Sequence, residues 1–337
     1  MRRSAALLLA LGCSPAAAAP RVGVPTPDRS DLLAPPPGAE PADPASPATT
    51  TQAALELERD LRADEPPRLD LPPRSPGAES GSQFLHRIAG LGRGAIDDEV
   101  VRAVHAGNVP DYQRTLVPIT VRDAGGREAT LHVMSDYLAI GSDEDFIRMP
   151  MTPAAAQKIC DQLGTTLPTP KLVDTIFDQA EARLPPSYID GGPTDDDISD
   201  FIVHQEKLEQ RRAKAGFELG RLLAGHKKDI VLTVRLEERD DRVAIYGWHK
   251  KDGTPIQPLS CKHSCRYADY SHGVRLVDER MTIAGRPHRV SDVLADPDLS
   301  TLLSDEGPLR ITTYPRELPP YEGPPKAAKK KARKRKS

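Results

Sequence analysis

Residues 229–249 read DIVLTVRLEERDDRVAIYGWH, and this stretch decides the fold class. Asp229–Leu236 and Arg242–His249 are rich in β-branched and aliphatic residues and flank the charged turn Glu237–Asp241, which predicts two strands joined as a hairpin. The chain before them is mostly helical. Thr152-Pro153 is an N-cap followed by proline at the first helical position, and Gly164 sits where a C-terminal glycine belongs. Between them Ala156, Ile159, Cys160 and Leu163 recur at i, i+3, i+4 and i+7, which puts Cys160 on a buried face. Thr169-Pro170 repeats the start signal ahead of Leu172, Val173, Ile176, Phe177 and Ala180, and Ile198–Ala215 gives a further helix. Upstream, Phe84–Ala106 reads helical with a break at Gly90–Gly94, and Leu116–Val121 and Thr130–Ile140 flank a hairpin turn at Asp123–Gly126. Downstream, the prolines of Pro255–Leu259 confine it to a sheet edge, and Met281–Val290 folds back around Ala284–Arg286. Helices first and strands afterwards predict an α+β domain with a mainly antiparallel sheet.

Composition limits that domain. The chain has 337 residues and 34 prolines, 14 of them between Pro20 and Pro76 in a stretch otherwise rich in Ala, Ser, Asp and Glu. Such a stretch has few apolar anchors to offset its ordering entropy, so residues 20–82 read as a disordered linker and 83–314 as the single globular domain. The net charge of −3 conceals an asymmetry. Eight basic residues lie in Lys326–Ser337, within a tail 315–337, and without them 38 basic residues face 49 acidic ones. An acidic body with a basic end argues against a nucleic-acid-binding fold and a specific nucleic-acid partner. No apolar run reaches the roughly 20 residues of a membrane span.

The first 19 residues read as an export signal: Arg2-Arg3, an apolar stretch to Leu11, then Gly12-Cys13 and an alanine run. Two processing routes stay open. Leu11-Gly12-Cys13 resembles a bacterial lipobox, in which Cys13 becomes the lipidated first residue, although Ala10 stands where such boxes more often carry leucine. The alanine run offers an ordinary cleavage site. Either route exports the domain to the cell envelope, as a periplasmic or extracellular protein or an outer-membrane lipoprotein with a lipid anchor.

The candidate chemistry lies between residues 226 and 272, which hold four of the nine histidines and the one tryptophan. A hairpin over 237–241 places Asp229 opposite His249, where a carboxylate can hold an imidazole. On a hydrolytic reading His249 is the general base and Asp229 orients it. Ser271 or a water attacks, Lys228 or His226 stabilises developing negative charge, and His272 completes the candidate set. The alternative is a structural ion pair at a sheet end. His263 and Asp269 are secondary candidates. Cys261 and Cys265 read as a disulfide in an exported protein, with a nucleophilic thiolate as the other reading. Zinc on His226, His249, His263 and His272 is chemically open, but no His-Glu-x-x-His spacing supports it, so no metal or cofactor is expected.

The segments GHKKD (225–229), YGWH (246–249), PIQPLS (255–260) and DYSHG (269–273) resemble a family of exported bacterial proteins without an assigned activity. The resemblance runs from about Phe84 to Gly307 and includes Asp136–Pro150 and Leu167–Phe177. It implies bacterial origin and a polar site, and it brings no reaction. Two functions therefore stand. One is a hydrolase acting on a cell-envelope polymer. The other is a non-catalytic envelope or glycan binding module that stacks sugars on Trp248, Tyr246, Tyr267 and Tyr270. The basic tail reads as a solubilising end or as a contact to an anionic surface.

Overall fold

Ser80 starts the first helix with a reciprocal cap: its amide donates to Gln83 Oε1 (2.9 Å) and its hydroxyl accepts from the Gln83 amide (3.3 Å). This helix, α1 (Gly81–Ile88), and α2 (Arg93–His105) are separated at the expected glycine break. The coordinates are a computed structural model that describes residues 66–190 and 197–318, all within one compact unit. The export signal with Cys13, the linker up to residue 65 and the tail from residue 319 lie outside the described residues.

The linker boundary expected at residue 82 falls inside the packed body. Leu69 is buried and its amide donates to the Arg114 carbonyl (2.8 Å), while Arg74 Nε donates to Asn108 Oδ1 (2.9 Å). A proline-rich segment can be ordered once the domain supplies its hydrogen-bond partners.

The hairpin β1 (Leu116–Arg122) and β2 (Glu128–Met134) is in register from Leu116↔Met134 to Arg122↔Glu128. A small hairpin, β3 (Ala139–Gly141) and β4 (Phe146–Arg148), precedes α3 (Pro153–Leu163), β5 (Thr165–Thr166) and α4 (Pro170–Gln179). Thr152 and Thr169 cap α3 and α4 through their hydroxyls, and Gly164 takes the left-handed position after α3 (φ +60°). Cys160 is fully buried, and burial pushes its thiol up to about 12. After β6 (Ala182–Arg183) comes α5 (Ile198–Lys214), which sets Phe201, His204 and Leu208 against the body, and then β7 (Leu223–Ala224), parallel to β6.

Next come β8 (Lys228–Ile230), β9 (Ile245–His249), β10 (Pro255–Ser260) and β11 (His272–Gly273). They form a four-stranded sheet in the order β10-β9-β8-β11, antiparallel except between β8 and β11. The proline-bearing β10 is an edge strand, as its composition requires. The other sheet has the order β1-β2-β12-β13, where β12 is Val277–Ile283 and β13 is Arg286–Arg289, with β5 also on β12. Ala284 and Gly285 both have positive φ (+50° and +75°) in the two-residue turn between β12 and β13. The last helix is α6 (Val290–Ala295). The class is α+β and mainly antiparallel, as expected.

One pairing differs. The strand expected over 229–236 stops at Ile230, because Thr233 caps a short 3-10 helix at Val234–Glu238. Asp229 therefore pairs with Tyr246, not His249.

The glycine of DYSHG is set by packing. A Cβ on Gly273 would lie 2.5 Å from Tyr137 Cδ1, and the Tyr137 hydroxyl is tied to Asp229 (2.7 Å), so the ring cannot retreat. Gly273→Ala is expected to cost about 1–3 kcal/mol of stability in urea unfolding. A wild-type midpoint in that variant would show the ring to be free.

Candidate functional site

Three histidines of the motif segments are buried, and each faces a different aspartate. His226 follows the left-handed Gly225 (φ +95°), and its Nε2 lies 3.2 Å from Asp136 Oδ1. The other oxygen, Asp136 Oδ2, accepts Arg148 Nε and Nη2 at 2.8 and 2.6 Å. The remaining arm of Arg148 donates to Glu209 Oε1 (2.8 Å) and Gln205 Oε1 (3.1 Å) on α5. Burial opposes the Asp136 charge, but Arg148 and His226 overcome it and hold the carboxyl well below its ordinary range. Burial also lowers His226 to about 4 despite Asp136, so the imidazole is neutral at pH 7.

His249 corrects the sequence expectation. Its Nε2 lies 2.8 Å from Asp174 Oδ1 on α4, and the Tyr246 hydroxyl donates to the same carboxylate (3.0 and 2.9 Å). The ring stacks on Phe177 at 4.6 Å between centroids. Asp229 is a neighbour but not the orienting group. A Cβ on Gly247 would lie 3.3 Å from His249 Cε1 and 3.5 Å from Asp229 Oδ2, so both side chains flank that glycine. Asp229 instead accepts the Tyr137 hydroxyl and has Arg275 Nε 3.9 Å away, while Arg275 donates to the carbonyls of Met134 and Leu223. Burial pushes Asp229 up to about 6, against the pull of Arg275 and Tyr137.

The third pair is His272 with Asp269, Nε2 to Oδ2 at 3.8 Å. Ser271 does not face a histidine: its hydroxyl and amide both donate to Asp269 Oδ1. Burial lowers His272 to about 4. For Asp269 burial acts the other way, yet His272, Lys228 and the Ser271 bonds bring the carboxyl down to about 2. The adjacent Lys227 is buried as well; its Nζ donates to the Tyr270 carbonyl (2.7 Å), and burial with Arg148 nearby lowers it to about 7.

Through the last of these pairs a strip of contacting rings and charges runs, its interior largely buried, and reaches solvent at its two ends, Tyr188 and His263. Tyr188, 55% exposed, rests on Trp248 at 4.6 Å. Lys228 Nζ lies 4.9 Å from the Trp248 ring and 3.9 Å from Asp269 Oδ2. Asp269 Oδ2 accepts the Tyr267 hydroxyl (2.9 Å), and Tyr267 stacks on the exposed His263 at 4.3 Å. Trp248 adopts φ +56°, a strained value for a bulky side chain, and its indole nitrogen donates to the His226 carbonyl (3.1 Å).

Of the residues singled out in the sequence, Lys228, His263, Asp269, Ser271 and His272 come together here, while His226, Asp229 and His249 are held by Asp136, Tyr137 and Asp174. Cys261 and Cys265 are buried free thiols in this structure, and burial pushes both up. Among the described residues no three His, Cys, Asp or Glu side chains are grouped to hold a metal ion, and no helix is long and apolar enough to cross a membrane. Sequence reasoning missed Asp136, Tyr137, Arg148, Asp174, Tyr188 and Arg275 as site residues. Their one signal was that Asp136, Tyr137, Arg148 and Asp174 lie inside segments of the noted resemblance. Comparison with protein-family models, curated proteins and solved structures finds no match to this chain.

The buried lysine gives a pH signature. A free lysine titrates near 10.4, so between about pH 7 and that value the unfolded chain binds a proton that the native chain does not. Stability should rise with pH across this window in urea unfolding, and the rise should shrink in Lys227→Met. An equal pH slope in both proteins would place a charged ammonium in the fold.

Proposed function

We propose that this chain is an exported, cell-envelope-associated binding module that takes a glycan or related envelope polymer along the strip from Tyr188 to His263. The observation that carries this reading is a run of contacting rings and charges that opens to solvent at Tyr188 and at His263. The imidazoles of His226, His249 and His272 are buried, each against its own carboxylate, and Trp248 and Asp269 are buried with them, while Tyr188 and His263 are exposed and Lys228 and Tyr267 lie half-buried between those two ends. The apolar C–H face of a sugar stacks on an aromatic ring, and its hydroxyls need donors and acceptors beside that ring. Strain held at Trp248 fits a buried ring placed to back Tyr188 and Lys228. Kinship with exported bacterial proteins carrying the GHKKD, YGWH, PIQPLS and DYSHG segments, a Cys261–Cys265 bridge in an oxidising compartment and a basic tail on an anionic surface belong to the same proposal.

The hydrolase reading keeps one specific support. Asp174 is 48% exposed and holds His249 at 2.8 Å, so an oriented imidazole lies just beneath the surface. Because Ser271 is engaged by Asp269, that reading needs water as its nucleophile.

The test is binding of the purified chain to isolated peptidoglycan and solubilised wall glycans, with turnover measured on the same samples. Tyr188→Ala and Lys228→Ala are expected to weaken binding about tenfold each, and His249→Ala to lower the melting temperature without changing affinity per folded molecule. Turnover by the wild type that His249→Ala abolishes at unchanged stability would establish the hydrolase instead. No binding and no turnover by the wild type would overturn both readings.

A further inference from the structure

Away from the strip, and sharing no residue with it, the structure has an open apolar groove of about 660 Å³ walled by α1, the β3–β4 hairpin and α5. Its walls are helical stripes. Along α1 and its C-cap, Gly81, Leu85 and Ala89 line the groove. On α5, Ile198, Ile202, Gln205 and Glu209 form a second stripe beside the Phe201, His204 and Leu208 face that packs on the body. Phe146 and Ile147 supply the floor. Ile202, at 40% exposed, is among the few large apolar side chains left open to solvent. The volume lies within the range of ordinary ligand pockets, about 300–1,000 Å³.

The rim decides what fits. Asp143, Glu144, Asp145 and Glu206 border the groove, and none of them makes an ion pair among the described residues. Asp143 and Asp145 accept backbone amides from Tyr112 and Ser82, which fixes their direction without neutralising them. Of the two basic side chains at the groove, Arg212 is committed to Glu209 (2.8 Å), leaving His86. An apolar trough between two helices, bordered by unneutralised carboxylates, is complementary to a helix with an apolar stripe and basic flanks. The chain's own segments fit less well. Residues 52–62 carry Glu56, Glu58 and Asp60 against Arg59 and Arg62, and the tail Lys326–Ser337 has no large apolar residue.

We propose that this groove is a docking site for a basic amphipathic helix of a partner protein. Leucine-sized side chains at i, i+3 or i+4 of that helix fill the space between Leu85, Phe146 and Ile202, and its lysines or arginines meet Glu144 and Glu206. The site is independent of the polymer strip, so loss of one activity leaves the other in place.

The experiment is fluorescence anisotropy with the full chain and two labelled probes: a leucine/lysine amphipathic peptide of about 14 residues and its leucine/glutamate counterpart. The basic probe is expected to bind at least about tenfold more tightly than the acidic one. Ile202→Asn and Glu206→Lys should each weaken it about tenfold at unchanged melting temperature, since both positions are exposed. Asp298→Lys, an exposed reversal elsewhere, should leave binding unchanged. Equal affinity for both probes, insensitivity to Ile202→Asn, or an equal effect of Asp298→Lys would overturn the proposal. So would occupation of the groove by dodecyl maltoside in preference to peptide, or a self-association that Ile202→Asn removes, because these assign it to a lipid or to a second copy.

Discussion

The guanidinium of Arg148 has no access to water, and much of the architecture around the motif segments follows from that constraint. A buried cation is tolerated only when counter-charge and hydrogen-bond acceptors surround it. Asp136 supplies the charge through two short bonds, and Glu209 and Gln205 supply the rest. These partners come from the loop after β2 and from α5, while Arg148 itself ends β4. The loop after β2 and the distant α5 are thereby fixed to one side chain of β4. The second oxygen of Asp136 faces His226, which brings in the GHKKD segment as well.

The same pattern recurs at smaller scale. Asp229 is held by Tyr137 and Arg275, Asp174 by His249 and Tyr246, and Asp269 by Ser271, Tyr267 and Lys228. At Asp136 and Asp269 the partners outweigh desolvation, at Asp229 they do not, and burial leaves His226 and His272 neutral at pH 7. Most of the polar residues that make the motifs conspicuous thus face inward. They hold the buried Trp248 and Asp269, which in turn back Tyr188, Lys228 and Tyr267, the groups that reach toward the surface. Polar density in a sequence signals a network here, and the accessible chemistry is what the network presents.

Features governed by local physics were legible in the sequence. Thr152, Pro153 and Gly164 bound α3 because caps and left-handed glycines act within a few residues, and the prolines of β10 exclude it from the sheet centre. The hairpin over 237–241 failed for a local reason too subtle to read: Thr233 caps a 3-10 turn that ends the strand at Ile230. The partner of His249 was beyond reach for a different reason. Asp174 lies 75 residues away on a helix whose apolar stripe drew attention to its neighbours. Asp136 and Arg148, 12 residues apart on either side of β3, carry no local signal of pairing. The linker boundary lies earlier than expected because proline content hides the contacts, among them those of Pro67, Leu69, Pro72 and Arg74, that tie residues 66–79 down.

If the buried pairs are scaffold and the strip is the working surface, the pair most sensitive to burial should govern stability alone. The direct measurement is a double-mutant cycle on Asp136→Leu and Arg148→Met, reading urea unfolding and polymer binding on the same preparations. Each single change should cost about 3–5 kcal/mol by stranding its partner, and the double change far less than their sum. Binding per folded molecule should stay constant throughout. Single variants that fold with wild-type stability yet lose binding would contradict this, and would place the function in the buried charges themselves.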